Sequence, residues 1–246
     1  MAAEPCGPYR VGLYEFGALY YRDAHGDWAG IDKDIIEELR KRTGCLLHTS
    51  TESRVRIWSL LSQGKLDIST SGISTPERDE YARFIPYLAT RNFVLLRAES
   101  ADIAASMDAF LSHPELKVGV IRTFRHGAQY DGWLDKLRSQ DRVYETADYP
   151  TLLRLFAIGR VQAILNINTN WRPVLADSSL AGHFQIADWA PRETVVGSLV
   201  LSRSRIPPEV AQRFEKALHE MREDGTLRAI YGKHADPRVA DSMMLH

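Results

Sequence analysis

The hydrophobic and polar residues of the chain repeat with two periods. Short segments rich in apolar and β-branched residues, at 9–14, 45–49 and 66–70, predict strands. Between them, at 32–44 and 57–64, apolar residues recur at the spacing of one helix face. Strand, helix, strand, helix and strand in this order predict an open, mostly parallel sheet flanked by helices. In such sheets the ligand lies beyond the carboxyl ends of the strands.

The same order of elements occurs a second time along the chain. Apolar segments at 117–121, 143–145 and 161–165 predict strands, and helical spacing occurs near 133–137 and 152–156. Because the α/β pattern is repeated, the chain is predicted to form two similar lobes.

Two extended apolar segments lie between these two sets. They cover 93–96 and 195–201, and we interpret them as the places where the chain passes from one lobe to the other and returns. The predicted domains are a discontinuous lobe 1, residues 1–94 and 195–246, and a lobe 2, residues 95–194.

Composition and charge narrow the function classes. The formal net charge of −1 creates no field that favours nucleic acid or a membrane surface. No apolar run is long enough to span a bilayer. The first residues contain neither a basic segment nor an apolar one, so they do not form a signal peptide. A cytoplasmic protein begins in this way, and so does an exported protein whose signal peptide has been removed.

The sequence contains no arrangement typical of a metal centre or a hydrolase. The 8 histidines do not cluster at ligand spacing, and no HExxH or Ser/His/Asp pattern occurs. The 2 cysteines, Cys6 and Cys45, cannot form a zinc site alone. We therefore predict no metal, no cofactor and no enzymatic activity.

Four motifs occur in order along nearly the whole chain. They are GDWAGIDKD at 26–34, GKLDI at 64–68, SGISTPER at 71–78 with FIPY at 84–87, and DGTLRAIY at 224–231. Together they resemble the signatures of the family-3 periplasmic solute-binding proteins, which include the polar amino-acid receptors of ABC transporters.

The resemblance implies the type II periplasmic binding protein fold, an α/β fold of two lobes joined by two hinge segments. In this fold the lobes close around a small polar ligand. It also implies a monomer in the periplasm, from which a signal peptide has been removed, and an ABC transporter permease as partner. Cys6 precedes the first strand and Cys45 opens the second, which should be its parallel neighbour. A Cys6–Cys45 disulfide and two free thiols both fit this arrangement.

The resemblance also assigns ligand-binding roles. Arg78 is expected to bind a ligand carboxylate through its planar pair of donors, with Ser71 beside it. The chain departs from the family at two positions. Ile73 stands where relatives carry Thr or Ser, and Ile167 stands where relatives carry an Asp that binds the ligand's α-ammonium. A buried ammonium without a carboxylate partner is costly. Either Glu15 replaces that Asp, or the ligand has no α-ammonium.

Cationic residues stand near several of the altered positions. Arg54 occupies a place where relatives often carry an aromatic residue, and Arg122 and Arg125 flank the loop after the first strand of lobe 2, where a helix N-terminus would add positive potential. With Arg78, they favour an anionic ligand, such as a carboxylate without an amine, unless Arg54 and Arg125 face solvent. The other predicted ligand contacts are Phe16, Tyr14, Thr123, Phe124, Asn166 and Asn168.

Two other functions are compatible with the resemblance. The same fold serves as the ligand-binding sensor module of membrane histidine kinases. Cyclohexadienyl dehydratases also share it, together with the Ser-Gly-Ile-Ser run at 71–74. Their general acid is a glutamate whose position corresponds to Asn170, and an amide cannot donate a proton as a carboxylic acid does. We therefore favour binding without chemistry.

Overall fold

The computed structural model describes residues 6–169, 180 and 182–245. The chain divides into two compact units. The first consists of the residues up to Ala89 and those from Val196 onward, and the second is Thr90–Val195. Each unit is an α/β structure built around its own five-stranded sheet. Among the described helices, none combines the length and the apolar composition needed to cross a bilayer.

The sheet of the first unit has the strand order β4-β1-β5-β12-β6. Strand β1 pairs in parallel with both β4 and β5, and β12 runs antiparallel to β5. The strands of this unit are β1 (Tyr9–Leu13), β2 (Tyr21–Arg22), β3 (Trp28–Ala29), β4 (Leu47–Thr51), β5 (Ile68–Gly72), β6 (Ala82–Thr90) and β12 (Val195–Ser202). Its helices are α1 (Ile31–Thr43), α2 (Arg54–Ser62), α3 (Pro76–Asp79), α7 (Pro208–Glu223), α8 (Thr226–His234) and α9 (Pro237–Ser242).

The sheet of the second unit has the order β11-β7-β10-β8-β9. Strands β8, β9 and β10 are parallel, whereas β7 runs antiparallel to both β10 and β11. The strands are β7 (Asn92–Arg97), β8 (Val118–Ile121), β9 (Val143–Thr146), β10 (Ala163–Ile167) and β11 (Phe184–Ala187). The helices are α4 (Met107–Ser112), α5 (Ala128–Arg138) and α6 (Tyr149–Ala157).

Local sequence signals explain where the helices begin and end. Helix α1 has acidic residues in its first turn and basic ones in its last, which complements the helix dipole. It ends at Gly44, whose φ of 67° is a left-handed conformation that glycine adopts without strain. The side chains of Ser53 and Asp148 cap α2 and α6 by accepting hydrogen bonds from Arg56 N and Thr151 N.

The predicted α/β fold is confirmed, with strands and helices in the predicted order. Residues 92–94, which we predicted to end lobe 1, pair within the sheet of the second unit instead. Apolar periodicity marks a strand but does not show which sheet the strand joins. Strand β6 was predicted only as a motif, because Pro86 interrupts its pattern. Its place at the edge of the sheet explains why a proline is tolerated there.

A disulfide joins Cys6 to Cys45 in the first unit, with the two Cα atoms 4.5 Å apart. Backbone bonds bring the two segments together, because Leu46 N donates to Cys6 O at 2.8 Å and Tyr9 N donates to Leu46 O at 2.9 Å. The bond therefore extends the parallel pairing of β1 and β4 beyond the start of the two strands.

Candidate ligand-binding site

Arg78 lies in the short helix α3, just beyond the carboxyl end of β5. The Thr75 side chain caps this helix by accepting a hydrogen bond from Arg78 N at 3.3 Å. The guanidinium donates to Ile73 O at 2.9 Å, and its central carbon lies 3.7 Å from the ring centroid of Trp58. Arg78 is only 7% exposed. A stacked ring and a carbonyl together fix the plane of the cation.

Trp58 stands on helix α2, one turn after Arg54, and both side chains point into the first unit. The Arg54 guanidinium donates to Thr70 O at 3.3 Å and to Ser71 O at 2.8 Å. Its central carbon lies 5.2 Å from the ring of Tyr14. Burial lowers the pKa of Arg54, while Tyr14 and nearby acidic groups oppose that change. The alternative that Arg54 faces solvent is therefore wrong, because this arginine holds the backbone of β5.

Ser71 has a left-handed backbone, with φ of 50°, that is uncommon for any residue other than glycine. Three contacts hold it in place. Its N–H donates to the Tyr87 hydroxyl at 2.8 Å, its hydroxyl donates to the Asp32 carboxylate at 2.8 Å and 2.9 Å, and its carbonyl accepts from Arg54. Strain of this kind persists where surrounding contacts determine the conformation, and it is typical of functional sites.

Asp32 and Tyr87 complete this buried network, and neither was predicted from the sequence as a site residue. The Tyr87 hydroxyl donates to Asp32 Oδ1 at 2.7 Å. Burial raises the pKa of Asp32, against the opposing effect of hydrogen bonds from Tyr87, Thr70 and Ser71. Burial also raises the pKa of Tyr87 well above its usual value. Asp32 lies in the family motif at 26–34 and Tyr87 in the one at 84–87. Membership of these motifs was the sequence feature that could have identified both residues.

The first loop contributes two buried rings with an exposed carboxylate between them. Tyr14 and Phe16 are 7% and 4% exposed, and their ring centroids lie 6.0 Å apart. Glu15 is exposed, and the Phe16 N–H donates to Tyr20 O at 2.9 Å. Both rings are thus packed into the first unit, and the ring of Tyr14 lies next to the Arg54 side chain.

In the second unit, the loop after β8 carries the predicted residues Arg122, Thr123 and Phe124. Arg122 Nε lies 3.7 Å from the Glu145 carboxylate. Thr123 has a positive φ of 65°, and the Phe124 ring lies 5.0 Å from the ring of His126. Phe124 N donates to Ile121 O at 3.1 Å, so the chain forms a tight turn at the end of β8.

The residues at the carboxyl end of β10 are buried. Asn166, Ile167 and Asn168 are 1%, 3% and 7% exposed. Asn166 Oδ1 accepts a hydrogen bond from Ile167 N at 3.1 Å, and Asn168 N donates to Arg91 O at 3.1 Å. Asn170, the position of the dehydratase general acid, lies outside the residues that the structure describes.

The N-terminus of α5 does not offer the positive potential that we expected. Gln129 N donates to Glu193 Oε1 at 2.9 Å, so a carboxylate of the chain already bonds to this helix end. Gly127 makes the approach possible, because a Cβ there would come within 2.6 Å of the Glu193 carboxyl carbon. Within the described ranges, no group of histidine, cysteine and acidic residues could hold a metal ion.

The two α/β units and the family motif residues around Arg78 are features of a class of solute-binding proteins. The chain belongs to the bacterial extracellular solute-binding proteins, family 3, whose sequence profile matches residues 10–237. A comparison with curated protein sequences found no match.

Solved structures of several binding proteins are similar to this one. A histidine kinase sensor domain with similarity to periplasmic binding proteins is 17% identical, with a TM-score of 0.78, covering 94% of this chain and 97% of that chain. An amino acid ABC transporter substrate-binding protein from Streptococcus pneumoniae, bound to L-arginine, is 16% identical, with a TM-score of 0.76. The match covers 94% of this chain and 95% of that chain. An ancestral amino acid-binding protein, a precursor of cyclohexadienyl dehydratase, is 20% identical, with a TM-score of 0.75. The match covers 93% of this chain and 95% of that chain.

At these identities the similarity establishes the fold. The predicted family and the predicted type II periplasmic binding protein fold are confirmed. The family match also supports the predicted role of ligand binding. The family and these structures are mainly binding proteins, which fits the prediction of a protein without enzymatic activity.

Proposed function

We propose that this protein captures a small, anionic, carboxylate-bearing ligand in the periplasm and delivers it to the permease of an ABC transporter. The observation that carries the proposal is the geometry of Arg78. Its guanidinium is buried, stacked on Trp58 and bonded to Ile73 O, so the plane of its donors is fixed before a ligand arrives. A planar pair of N–H donors matches the two oxygens of a carboxylate.

The rigidity of the β5 backbone supports the same assignment. Ser71 is held through its N–H, its hydroxyl and its carbonyl, so the segment that leads from β5 to Arg78 has little freedom to move. A binding site that is ordered in advance loses less conformational entropy when the ligand binds. The carboxylate is therefore proposed to bind at the carboxyl end of β5.

The ligand is proposed to lack an α-ammonium group. Ile167 stands where the amino-acid receptors of the family carry an Asp, and it is buried within β10. An ammonium buried without a carboxylate partner costs several kcal/mol, typically about 3–5 kcal/mol when one partner of a buried pair is missing. The solved structure with bound L-arginine makes amino acids the natural comparison ligands.

A sensor module is the second candidate function. The similarity to a histidine kinase sensor domain favours it, since that structure has the highest TM-score of the three reported above. The full-length gene distinguishes the two candidates. A neighbouring permease gene would support transport, and a transmembrane segment followed by a kinase domain would support sensing. A dehydratase-like lyase activity is disfavoured, since Asn170 stands at the position of the acid.

A ligand screen tests the proposal. We expect acids without an amine to raise the melting temperature, because a ligand that binds only the folded state stabilises it. Standard α-amino acids should have smaller effects. Titration calorimetry with Arg78→Ala should then show no binding of the acid that binds wild type, while Arg213→Ala, an exposed arginine on α7, should bind it normally. Amino acids as the only ligands, or full affinity in Arg78→Ala, would contradict the proposal.

A further inference from the structure

Three cationic side chains lie near one end of the sheet in the second unit. Lys117 immediately precedes β8, and Arg160 follows α6 shortly before β10 begins. Lys117 Nζ and the guanidinium carbon of Arg160 lie 5.4 Å and 5.1 Å from the ring centroid of Tyr144 in β9. The third cation, Arg154, is exposed on α6, where its guanidinium donates to Thr151 Oγ1 at 3.3 Å. One tyrosine ring therefore holds two cations close together.

The nearby acidic side chains contact other groups. Glu99 forms an ion pair with Arg97, and the Glu115 carboxylate lies 3.2 Å from His113 Nδ1. Among the residues that the structure describes, no carboxylate lies within ion-pair distance of the three cations. Their positive charge is thus not neutralised within this part of the chain.

The C-terminus of α6 does not explain these cations, because another arginine already binds it. Arg97 donates to Phe156 O at 2.7 Å and to Ala157 O at 3.0 Å, which satisfies carbonyl groups that a helix end leaves free. The next residue, Ile158, is 71% exposed, although isoleucine is among the residue types most often buried. It lies one helical turn after Arg154, so an apolar side chain stands beside the cations.

We call this surface the basic edge: Lys117, Tyr144, Arg154, Ile158 and Arg160. It lies where β8 and β10 begin, and these two strands run in parallel. The predicted ligand contacts of the second unit follow the carboxyl ends of the same strands, at the opposite end of the sheet. A partner can therefore occupy the basic edge without contacting those residues.

The composition of the basic edge argues against three kinds of partner. A second copy of the chain, joined through the same surface across a two-fold axis, would place cations against cations. Segments that bind anionic membranes typically carry about 4–8 cations, which is more than this surface offers. Nucleic-acid-binding domains are strongly basic, whereas the formal net charge of this chain is −1.

We propose that the basic edge binds an acidic segment of a partner protein, in which carboxylates flank an apolar side chain. The carboxylates bind Lys117 and Arg160, and the apolar side chain packs on Ile158. A ring that lies against a cation orders it, while the N–H donors remain available for a carboxylate. Charge complementarity is the reason for this choice of partner, and the proposal does not depend on the identity of the captured ligand.

NMR titration with synthetic peptides tests the proposal. The probe is acetyl-Glu-Glu-Leu-Glu-Glu-amide, and two comparison peptides replace every Glu by Gln or the Leu by Gly. We expect the probe to shift the amide signals of the basic edge, with a Kd on the order of 1 mM in about 20 mM salt. The Gln peptide should cause no shift, and the Gly peptide should bind more weakly. About 0.5 M salt should abolish the shifts, because it screens exposed charges.

Variants with matched charge locate the binding surface. Lys117→Gln combined with Arg160→Gln should weaken binding of the probe by about tenfold, the loss expected for two exposed ion pairs. Lys136→Gln combined with Arg213→Gln removes the same charge from exposed positions on α5 and α7, and should change the affinity by less than about twofold. Tyr144→Leu keeps the charge but removes the ring, so it should also weaken binding. Melting temperatures show that each variant is folded.

Several results would overturn the proposal. They are no shift up to about 10 mM probe, shifts confined to residues outside the basic edge, or equal effects of the two double variants. Cosedimentation of wild type with vesicles of phosphatidylserine and phosphatidylcholine, lost in the Lys117→Gln, Arg160→Gln variant, would assign the surface to a membrane. Shifts of the same signals with protein concentration alone would assign it to a second copy of the chain.

Discussion

The two units place polar groups in their interiors in different ways. In the first unit, Asp32, Arg54, Ser71 and Tyr87 form a network that contains both an acidic and a basic side chain, and each bonds to another member. In the second unit, the buried side chains of Asn92, His126 and Thr169 are uncharged, and His126 Nε2 and Thr169 Oγ1 have no hydrogen-bond partner within the described residues. The first arrangement fixes its side chains through contacts within the unit, whereas the second leaves two buried polar atoms unsatisfied.

The difference follows the motifs of the family. The first unit keeps the motif that ends in Arg78, and the buried network lies around it. In the second unit, the family resemblance places Ile167 at the position where the amino-acid receptors carry an Asp. Changes of ligand are therefore expected to arise in the second unit while the carboxylate contact in the first unit stays the same.

Removing Asp32 should have the largest effect on stability. Asp32→Ala leaves the Ser71 and Tyr87 hydroxyls without their shared acceptor and removes a negative charge near the buried Arg54. Breaking a buried charged network typically costs about 3–5 kcal/mol. Urea unfolding measures the change. The control is Asp27→Ala, which changes an exposed residue between β2 and β3 and should cost less than about 0.5 kcal/mol. Equal effects of the two substitutions would show that the network does not stabilise the first unit.

The disulfide should contribute nearly as much to stability. Cys6 and Cys45 are separated by 39 residues in sequence, and closing a loop of this size stabilises a protein by about 4 kcal/mol in the chain-entropy description. The double substitution Cys6→Ser, Cys45→Ser should lower the free energy of unfolding by that order. Hydrogen exchange should show faster opening of β1 and β4 than of the second unit. Uniform faster exchange in both units would contradict this localisation.

Trp58 should affect ligand affinity through Arg78. Loss of the stacked ring in Trp58→Leu should weaken binding of the tightest acid from the screen by about tenfold, which is within the range for a cation–π contact. Trp58→Phe keeps a ring under the guanidinium and should restore most of the affinity. In an Arg78→Lys background, Trp58→Leu should have little further effect, because the interacting guanidinium is already absent. Additive losses would show that Trp58 acts independently of Arg78.

The smallest predicted effect concerns Asp32 and Asp34. Their contributions to the free energy of unfolding should change with pH in opposite directions. Burial raises the pKa of Asp32, so its contribution to stability is present below about pH 4 and is lost as the pH rises through the raised pKa. Burial also disfavours the charged form of Asp34, but hydrogen bonds from Lys233 and His234 outweigh it and lower the pKa of Asp34. Its contribution is therefore present above about pH 4 and is lost as the pH falls through the lowered pKa.

Urea unfolding of Asp32→Asn and Asp34→Asn at pH 4 and pH 7 tests this prediction. Relative to wild type, Asp32→Asn should become more stable as the pH rises, and Asp34→Asn should become less stable. Changes in the same direction for both variants would contradict the assignment.

The sequence predicted those parts of the structure that depend on local patterns. The period of the apolar residues gave the strands and helices, and Gly44 correctly marked the end of α1. The network around Asp32 could not be predicted in this way, since Asp32 and Tyr87 are 55 residues apart and only the packing of the sheet brings them together. The stacking of Trp58 on Arg78 and the pairing of Asn92 with His126 are long-range for the same reason.

Titration calorimetry of wild type, Arg78→Ala and Arg78→Lys with the tightest acid from the screen tests the central claim most directly. Loss of a buried bidentate contact should abolish measurable binding in Arg78→Ala. Arg78→Lys should bind with intermediate affinity, because it keeps the charge but loses the planar pair of donors. Wild-type affinity in Arg78→Ala would show that the ligand carboxylate binds elsewhere.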